Sequence, residues 1–276
     1  MTARSADTAR RLRACLDESD PGMKAEAAKV LHADWEGGRL APPDDSTPGP
    51  IAAPGRPPRP QLVSPADVPR RRLGSAAGRA ALLHAVAHIE FNAINLALDA
   101  AYRFRGMPAD YYGDWLRVAA DEARHFRMVA NRLGDLGYGY GDFPAHNGLW
   151  EMAEKTAHDV MVRMALVPRV LEARGLDVTP GMIDRLEQAG DTVSADILRT
   201  ILDEEVAHVA IGSRWFTWAC AGRGLDAEAL FPELLDTYMR GALRGPFNVD
   251  ARRAAGFSDR EIEALERDAD AARGRA

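Results

Sequence analysis

DEARHF, residues 121–126, and DEEVAH, residues 203–208, each set a Glu three positions before a His in sequence of helical texture. A helix advances about 100° per residue. On that wheel Glu122 and His125 share a side with Trp115, Val118, Phe126 and Val129, while Asp114, Arg117, Arg124 and Arg127 take the other. The second stretch repeats the pattern. Glu205 and His208 face with Leu198, Ile201, Val209 and Phe216, and Arg199, Asp203 and Arg214 point away. Both pairs therefore fall within apolar stripes rather than on charged faces.

Two further segments carry a carboxylate in the same setting. Residues 76–104 read as a helix with Glu90 beside Val86, Ala93, Ile94 and Ala97; residues 148–174 read as one with Glu172 on a face with Met161, Ala165 and Pro168. With the segments at 109–136 and 191–221, the chain offers four long helices and almost no strand alternation. Glu122 follows Glu90 by 32 positions and Glu205 follows Glu172 by 33, so each half is a Glu helix followed by a Glu-x-x-His helix. The short turn around Arg105–Pro108 favours antiparallel neighbours. Pro168 predicts a kink or local bulge ahead of Glu172. Thr179 and Pro180 read as the N-cap and first residue of a short extra helix.

Burying four carboxylates without compensation costs several kcal/mol apiece, and around a vacant centre they would repel one another and take up protons. No arginine falls at the centre of the four stripes. Two divalent cations would resolve both problems, with four carboxylates nearly neutralising them and one imidazole for each. A lone Glu-x-x-His is a weak signal: with 41 acidic residues in 276, about one of the seven His would have an acid three positions before it by chance. Two such Glu, both in apolar stripes and both preceded by a Glu helix at nearly equal distance, are a strong one. A bundle of buried salt bridges to arginines from elsewhere, or a dead site, is the bland alternative.

The segments HIEFNAINLALDAA, DEARHF, LEARGLDVTPGM and DEEVAH resemble those of ferritin-like di-iron carboxylate proteins. Together with the Pro-rich stretch and GPFN…ARRAAGF they are similar to a bacterial branch labelled only as a domain of unknown function. The resemblance covers most of the chain. It implies an all-α protein with a ferritin-like four-helix bundle. It also implies a complete ligand set of Glu90, Glu122, His125, Glu172, Glu205 and His208 for two divalent metal ions, iron or, as the alternative, manganese. Carboxylate-rich N/O sites suit those metals. The implied activity is an oxygen-activating oxidase or oxygenase taking dioxygen and a small-molecule substrate of unknown identity. Ferroxidase or storage chemistry, and a non-catalytic scaffold that binds a partner, are the alternatives.

The remaining sequence frames this centre. Four segments are expected: a helical stretch at 1–39, broken near Asp20-Pro21-Gly22; a Pro/Gly-rich arm at 40–75; the bundle at 76–222; and a helical extension at 223–276. Ser258 and Glu261 have capping-box spacing, which starts a last helix. The net charge of −6 disfavours a nucleic-acid partner, although the arginines of GRPPRP and VPRRRLG could form a docking strip. Cys15 and Cys220 lack metal or disulfide spacing and fit a reducing compartment. With no signal peptide and no long uncharged apolar run, a cytoplasmic protein without a membrane span is expected, and its apolar helical surfaces suit a homodimer. His84 and His88, four apart, face with Asn92 and Asn95, away from Glu90; packing against the arm or a neighbouring helix competes with support of the ligands. Glu204 competes with Glu205 from the edge of its stripe. Glu154 and His158 lie on the helical side of Glu172, where surface duty competes with lining a channel. Tyr138 and Tyr140 sit in a glycine-rich loop where an electron relay is conceivable.

Overall fold

The computed structural model describes residues 3–68, 73–239 and 245–273. They are all-α, with no strand among them; one isolated parallel bridge joins Leu62 to Ala145. The chain divides into two compact units, Met1–Glu154 and Lys155–Ala276, and the division falls inside the 76–222 segment.

The first unit begins with α1 (Ala3–Asp17) and α2 (Pro21–Glu36). Asp20 ends one helix and starts the next: its carboxylate accepts from Met23 N, and Pro21 takes the first helical position, where no N–H is needed. Two long helices follow, α3 (Ala76–Arg103) and α4 (Ala109–Asp135), within a residue of the spans expected from periodicity. They pack on each other; α2 packs on α4 and α1 on α3. Among the described residues α3 alone is long and apolar enough to cross a membrane, but 78% of its most apolar window is buried inside the protein, as befits a core helix.

The Pro-rich arm packs onto this unit. Gly49 N donates to Tyr102 Oη at 3.0 Å and Gly55 N to the Leu16 carbonyl at 2.7 Å. Val63 N and Ala145 N tie the end of the arm to the loop after α4, at 2.8 and 3.0 Å. Gly55 is required by close approach: a Cβ there would lie 2.1 Å from the Asp17 carbonyl oxygen. Lys24 clasps the same point. Its buried ammonium donates to the Gly55 carbonyl at 2.6 Å, the Leu16 carbonyl at 3.1 Å and the Asn95 side chain, and it lies 5.0 Å from the centre of the Phe91 ring.

From Gly148 onward the structure differs from the sequence expectation. The segment at 148–174 is not one helix. The short α5 (Gly148–Lys155) stops, Asp159 caps a new helix by accepting from Met161 N at 2.7 Å, and α6 (Val160–Leu166) opens into a π-turn over Val167–Glu172. Pro168 lies in that turn, so the local bulge that its missing N–H predicts is present. Nor does Thr179 cap a new helix. Instead α7 (Ala173–Gln188) runs through Pro180 without a break. Pro180 cannot donate to the Leu176 carbonyl four residues back, and Asn248 Nδ2 supplies that hydrogen bond instead, at 3.2 Å.

The long α8 (Thr192–Ala221) follows an Asp191 cap. The extension folds as α9 (Ala227–Tyr238), α10 (Val249–Ala254) and α11 (Asp259–Arg273). At α11 the expected capping box is formed: Glu261 N donates to Ser258 Oγ at 3.3 Å, and Ser258 N to Glu261 Oε2 at 3.0 Å.

Two outcomes follow from these repairs. Burial pulls the Lys24 ammonium down to about 8, against the nearby Cys15, Glu18 and Asp17, which favour its charge. An unfolded lysine titrates near 10.4. Between those values the unfolded chain holds more protons, so the Lys24 contribution to stability rises with pH. Unfolding titrations from pH 7.5 to 10.5 should show this rise in the wild type relative to Lys24→Met; parallel pH profiles would contradict it. Asn248→Ala removes the donor to Leu176 and the cap of α10, and should lower stability by about 1–3 kcal/mol, read as a lower urea midpoint at constant slope.

Candidate metal centre

In the first unit, α3 brings Glu90, and α4 brings Glu122 and His125, to one buried point. Glu122 and His125 have no exposed surface and Glu90 is 4% exposed. His125 Nδ1 lies 3.4 Å from Glu122 Oε2 and 3.4 Å from Glu90 Oε2, and one ligand atom from each of the three residues falls within 4.8 Å of the others. The i, i+3 spacing puts the Glu and His of α4 on one face, as it does any such pair. Phe91 and Phe126, the residues next to Glu90 and His125, pack at 5.7 Å between ring centres, and Tyr140 closes on both, at 5.6 and 5.2 Å.

The electrostatics favour protons on two of the three groups. Burial, and then the charge of Glu122, push the Glu90 carboxyl well above the usual carboxylate range. Burial pulls the His125 imidazole down, but hydrogen bonds and charge from Glu122 and Glu90 outweigh it and push the group up to about 11. Glu90 Oε2 is buried and receives no well-aimed hydrogen bond, despite the approach of His125. Two acidic side chains and one imidazole, with an oxygen still short of a donor, suit a divalent cation of the iron or manganese kind.

The second unit repeats half of this geometry within α8. His208 Nδ1 lies 2.9 Å from Glu205 Oε2, and both residues are buried. Glu172 is the last residue of the π-turn and is 7% exposed. The first turn of α7 runs close to Glu205, for a Cβ at Gly175 would lie 3.9 Å from Glu205 Cγ. Glu204 is only half-buried. The same nitrogen thus faces the same carboxylate oxygen in both Glu-x-x-His motifs.

Other residues singled out by sequence have different duties. His84 Nε2 accepts from Gly141 N at 2.9 Å and its ring stacks on Tyr140 at 5.4 Å. His88 Nδ1 lies 2.9 Å from Tyr140 Oη and its Nε2 lies 3.0 Å from the His146 carbonyl. Burial lowers both imidazoles to about 4. They pack the glycine-rich loop onto the outer face of α3. Glu154 and His158 are exposed, and the break at Thr156–Asp159 takes them off the helix of Glu172. The sequence reading missed the buried cations. Arg163 and Arg169 are 1% and 2% exposed and come from the apolar segment that leads to Glu172. Only the placing of each within that segment hinted at burial. Arg163 turns to Thr156 Oγ1 at 2.7 Å and Arg169 to Glu261 at 2.8 Å.

The chain is 51% identical over 214 residues to a protein of Haemophilus influenzae described as uncharacterized, a match covering 75% of this chain and 74% of that one. No solved structure matches it. The family model described as "Protein of unknown function (DUF455)" matches residues 17–263, nearly the whole of the chain, and the protein belongs to that family.

Proposed function

We propose that this is a di-metal carboxylate protein of the ferritin-like kind, in which Glu90, Glu122, His125, Glu172, Glu205 and His208 hold two divalent ions, iron or an iron/manganese pair. The observation that carries the proposal is the fully buried Glu90–Glu122–His125 cluster, with its Glu-x-x-His geometry recurring at Glu205 and His208. Such a burial of acids is costly unless a cation compensates it. When bound, a pair of such ions supplies two-electron chemistry with dioxygen, which makes an oxidase or oxygenase acting on a small molecule the favoured activity.

Glu90 and Glu172 would each offer one carboxylate to a metal ion. Glu122 and Glu205, each one turn before a His, would offer a carboxylate beside an imidazole. His125 and His208 would bind a metal ion as neutral imidazoles, and each has a carboxylate oxygen beside Nδ1 that can accept a proton from it.

Elemental analysis of protein expressed with iron and manganese available should find about two ions per chain, lost in a Glu122→Ala/Glu205→Ala double variant. Equal trace metal in both proteins would sink the proposal and leave the scaffold reading. Loaded protein that consumes dioxygen only while oxidising ferrous ion, and that assembles as a many-subunit shell on a sizing column, would point to metal handling instead. Because ligand binding stabilises only the folded state, full loading should raise Tm by several degrees over chelated protein. An unchanged Tm after verified removal of metal would show that the ligands are not coupled to folding.

A further inference from the structure

The second unit contains a set of contacts that the metal ligands do not use. Arg169 stands in the π-turn three residues before Glu172. Its guanidinium lies 4.3 Å from the ring centres of Phe231 and Phe257 and 4.9 Å from that of Phe216. Nε donates to Ser213 Oγ at 3.1 Å, and Nη2 donates to Glu261 Oε2 at 2.8 Å. Glu261 is itself buried and fixed by the capping box of α11. Five residues beyond Glu172, Asp177 accepts two hydrogen bonds from Arg252 of α10, at 3.0 and 2.7 Å. From α8, Gly212 lets the Pro168 ring seat directly on the helix: a Cβ there would lie 2.4 Å from Pro168 Cβ and Cγ.

These contacts surround Glu172 in sequence and come from four other helices, α8, α9, α10 and α11, and from the turn before α11. A π-turn lacks the regular i→i−4 ladder, so its own hydrogen bonds define the direction of its side chains less firmly than an α-helix would. A buried Arg–Glu pair contributes little net stability compared with apolar residues of similar size. What it does supply is direction, because the planar guanidinium fixes its partners at set angles. Pro168 removes one backbone donor in the same turn, which increases the need for an outside hold.

We propose that Arg169 and Glu261 are positioning residues, through which the C-terminal extension clamps the π-turn and sets the direction in which Glu172 is presented to a divalent cation. The clamp rests on the metal-binding role proposed above. It gives the extension a duty in the centre without supplying any ligand to it. Gly212 is the floor of the same device, since an added methyl group there would push Pro168 and the turn away from α8.

The test uses the full chain, stripped of metal and titrated with Mn2+ under anaerobic conditions, in the wild type and in Arg169→Met, Arg169→Lys, Glu261→Gln and Gly212→Ala. Leu186→Ala, a fully buried change in the last turn of α7, controls for loss of stability alone. The wild type should bind two ions. Arg169→Met, Glu261→Gln and Gly212→Ala should bind one ion as tightly and the other about 10- to 100-fold more weakly. Arg169→Lys, which keeps the charge without the fork, should fall between. Leu186→Ala should melt lower yet bind both ions as the wild type does. If Arg169→Met does not fold, Arg169→Lys and Gly212→Ala carry the test. Wild-type affinity for both ions in these variants, or the same loss in Leu186→Ala, overturns the clamp and leaves the metal centre standing. A wild type that binds no ion overturns the metal centre, and the clamp with it.

Discussion

Desolvation of Glu90, Glu122 and His125 is the constraint to which the first unit is built. Three ionisable groups with almost no exposure must balance one another: burial and the charge of Glu122 push the Glu90 carboxyl up, and at His125 the two carboxylates outweigh burial and push the imidazole up. This requires α3 and α4 to lie close along their lengths, so the helices are long, apolar on the shared face and joined by a short turn. It requires the Glu and His of α4 to be three apart. Phe91 and Phe126, each next in sequence to one of these three groups, pack against each other across the two helices at 5.7 Å. A different identity at any of the three would leave a buried charge without its balance, which costs more than the pair itself contributes.

Buried cations away from the ligands solve a different problem. Lys24, Arg169 and Arg252 each hold chain that has departed from regular helical hydrogen bonding or that lies beside such a departure. Lys24 satisfies the carbonyls at the end of α1 and in the arm. Arg169 stands within the π-turn, and Arg252 grips Asp177 one turn later. Backbone polar groups that leave a helical ladder inside a protein need partners, and a long flexible cation reaches them from a neighbouring element. The arm and the C-terminal extension can therefore be read as the places where the protein departs from plain helix packing and compensates for it.

What could be read from the sequence was the local part. The ends of α3, α4 and α8 follow from periodicity and flanking Pro, Asp and Gly, and the Ser258–Glu261 box starts α11 where its spacing says it should. The clustering of Glu90, Glu122 and His125 was legible because helical geometry alone puts Glu122 and His125 on one face, and the apolar stripe says which face is inside. The failures were non-local. Pro180 looks like a helix start because Pro usually is one; it lies mid-helix because Asn248, far along the chain, takes the orphaned carbonyl. The break at Thr156–Asp159 turns on an Asp cap that competes with an otherwise helical pattern. Arg169 reads as a surface residue until the three Phe and Glu261 that receive it are placed around it, and those come from α8, α9, α11 and the turn before α11.

The two halves are alike in the spacing of their Glu and Glu-x-x-His residues and unlike in how the first Glu is held. Glu90 sits in mid-helix on α3, which runs unbroken from Ala76 to Arg103, so its direction is set by hydrogen bonds of the helix itself. Glu172 ends a turn that contains Pro168 and follows a helix of only seven residues, so its direction is set by whatever packs on that turn. A duplicated pair of helices need not stay equivalent once one member is interrupted. The interruption frees the Glu172 carboxylate from the rigid geometry of a helix, and outside contacts are then needed to fix the turn that carries it. In this chain those contacts come from the C-terminal helices, which have no counterpart bonded to α3 through a buried arginine among the described residues. The extension is thus explained by the same constraint as the centre: a carboxylate kept from water must be aimed, and where its own helix cannot aim it, another element has to.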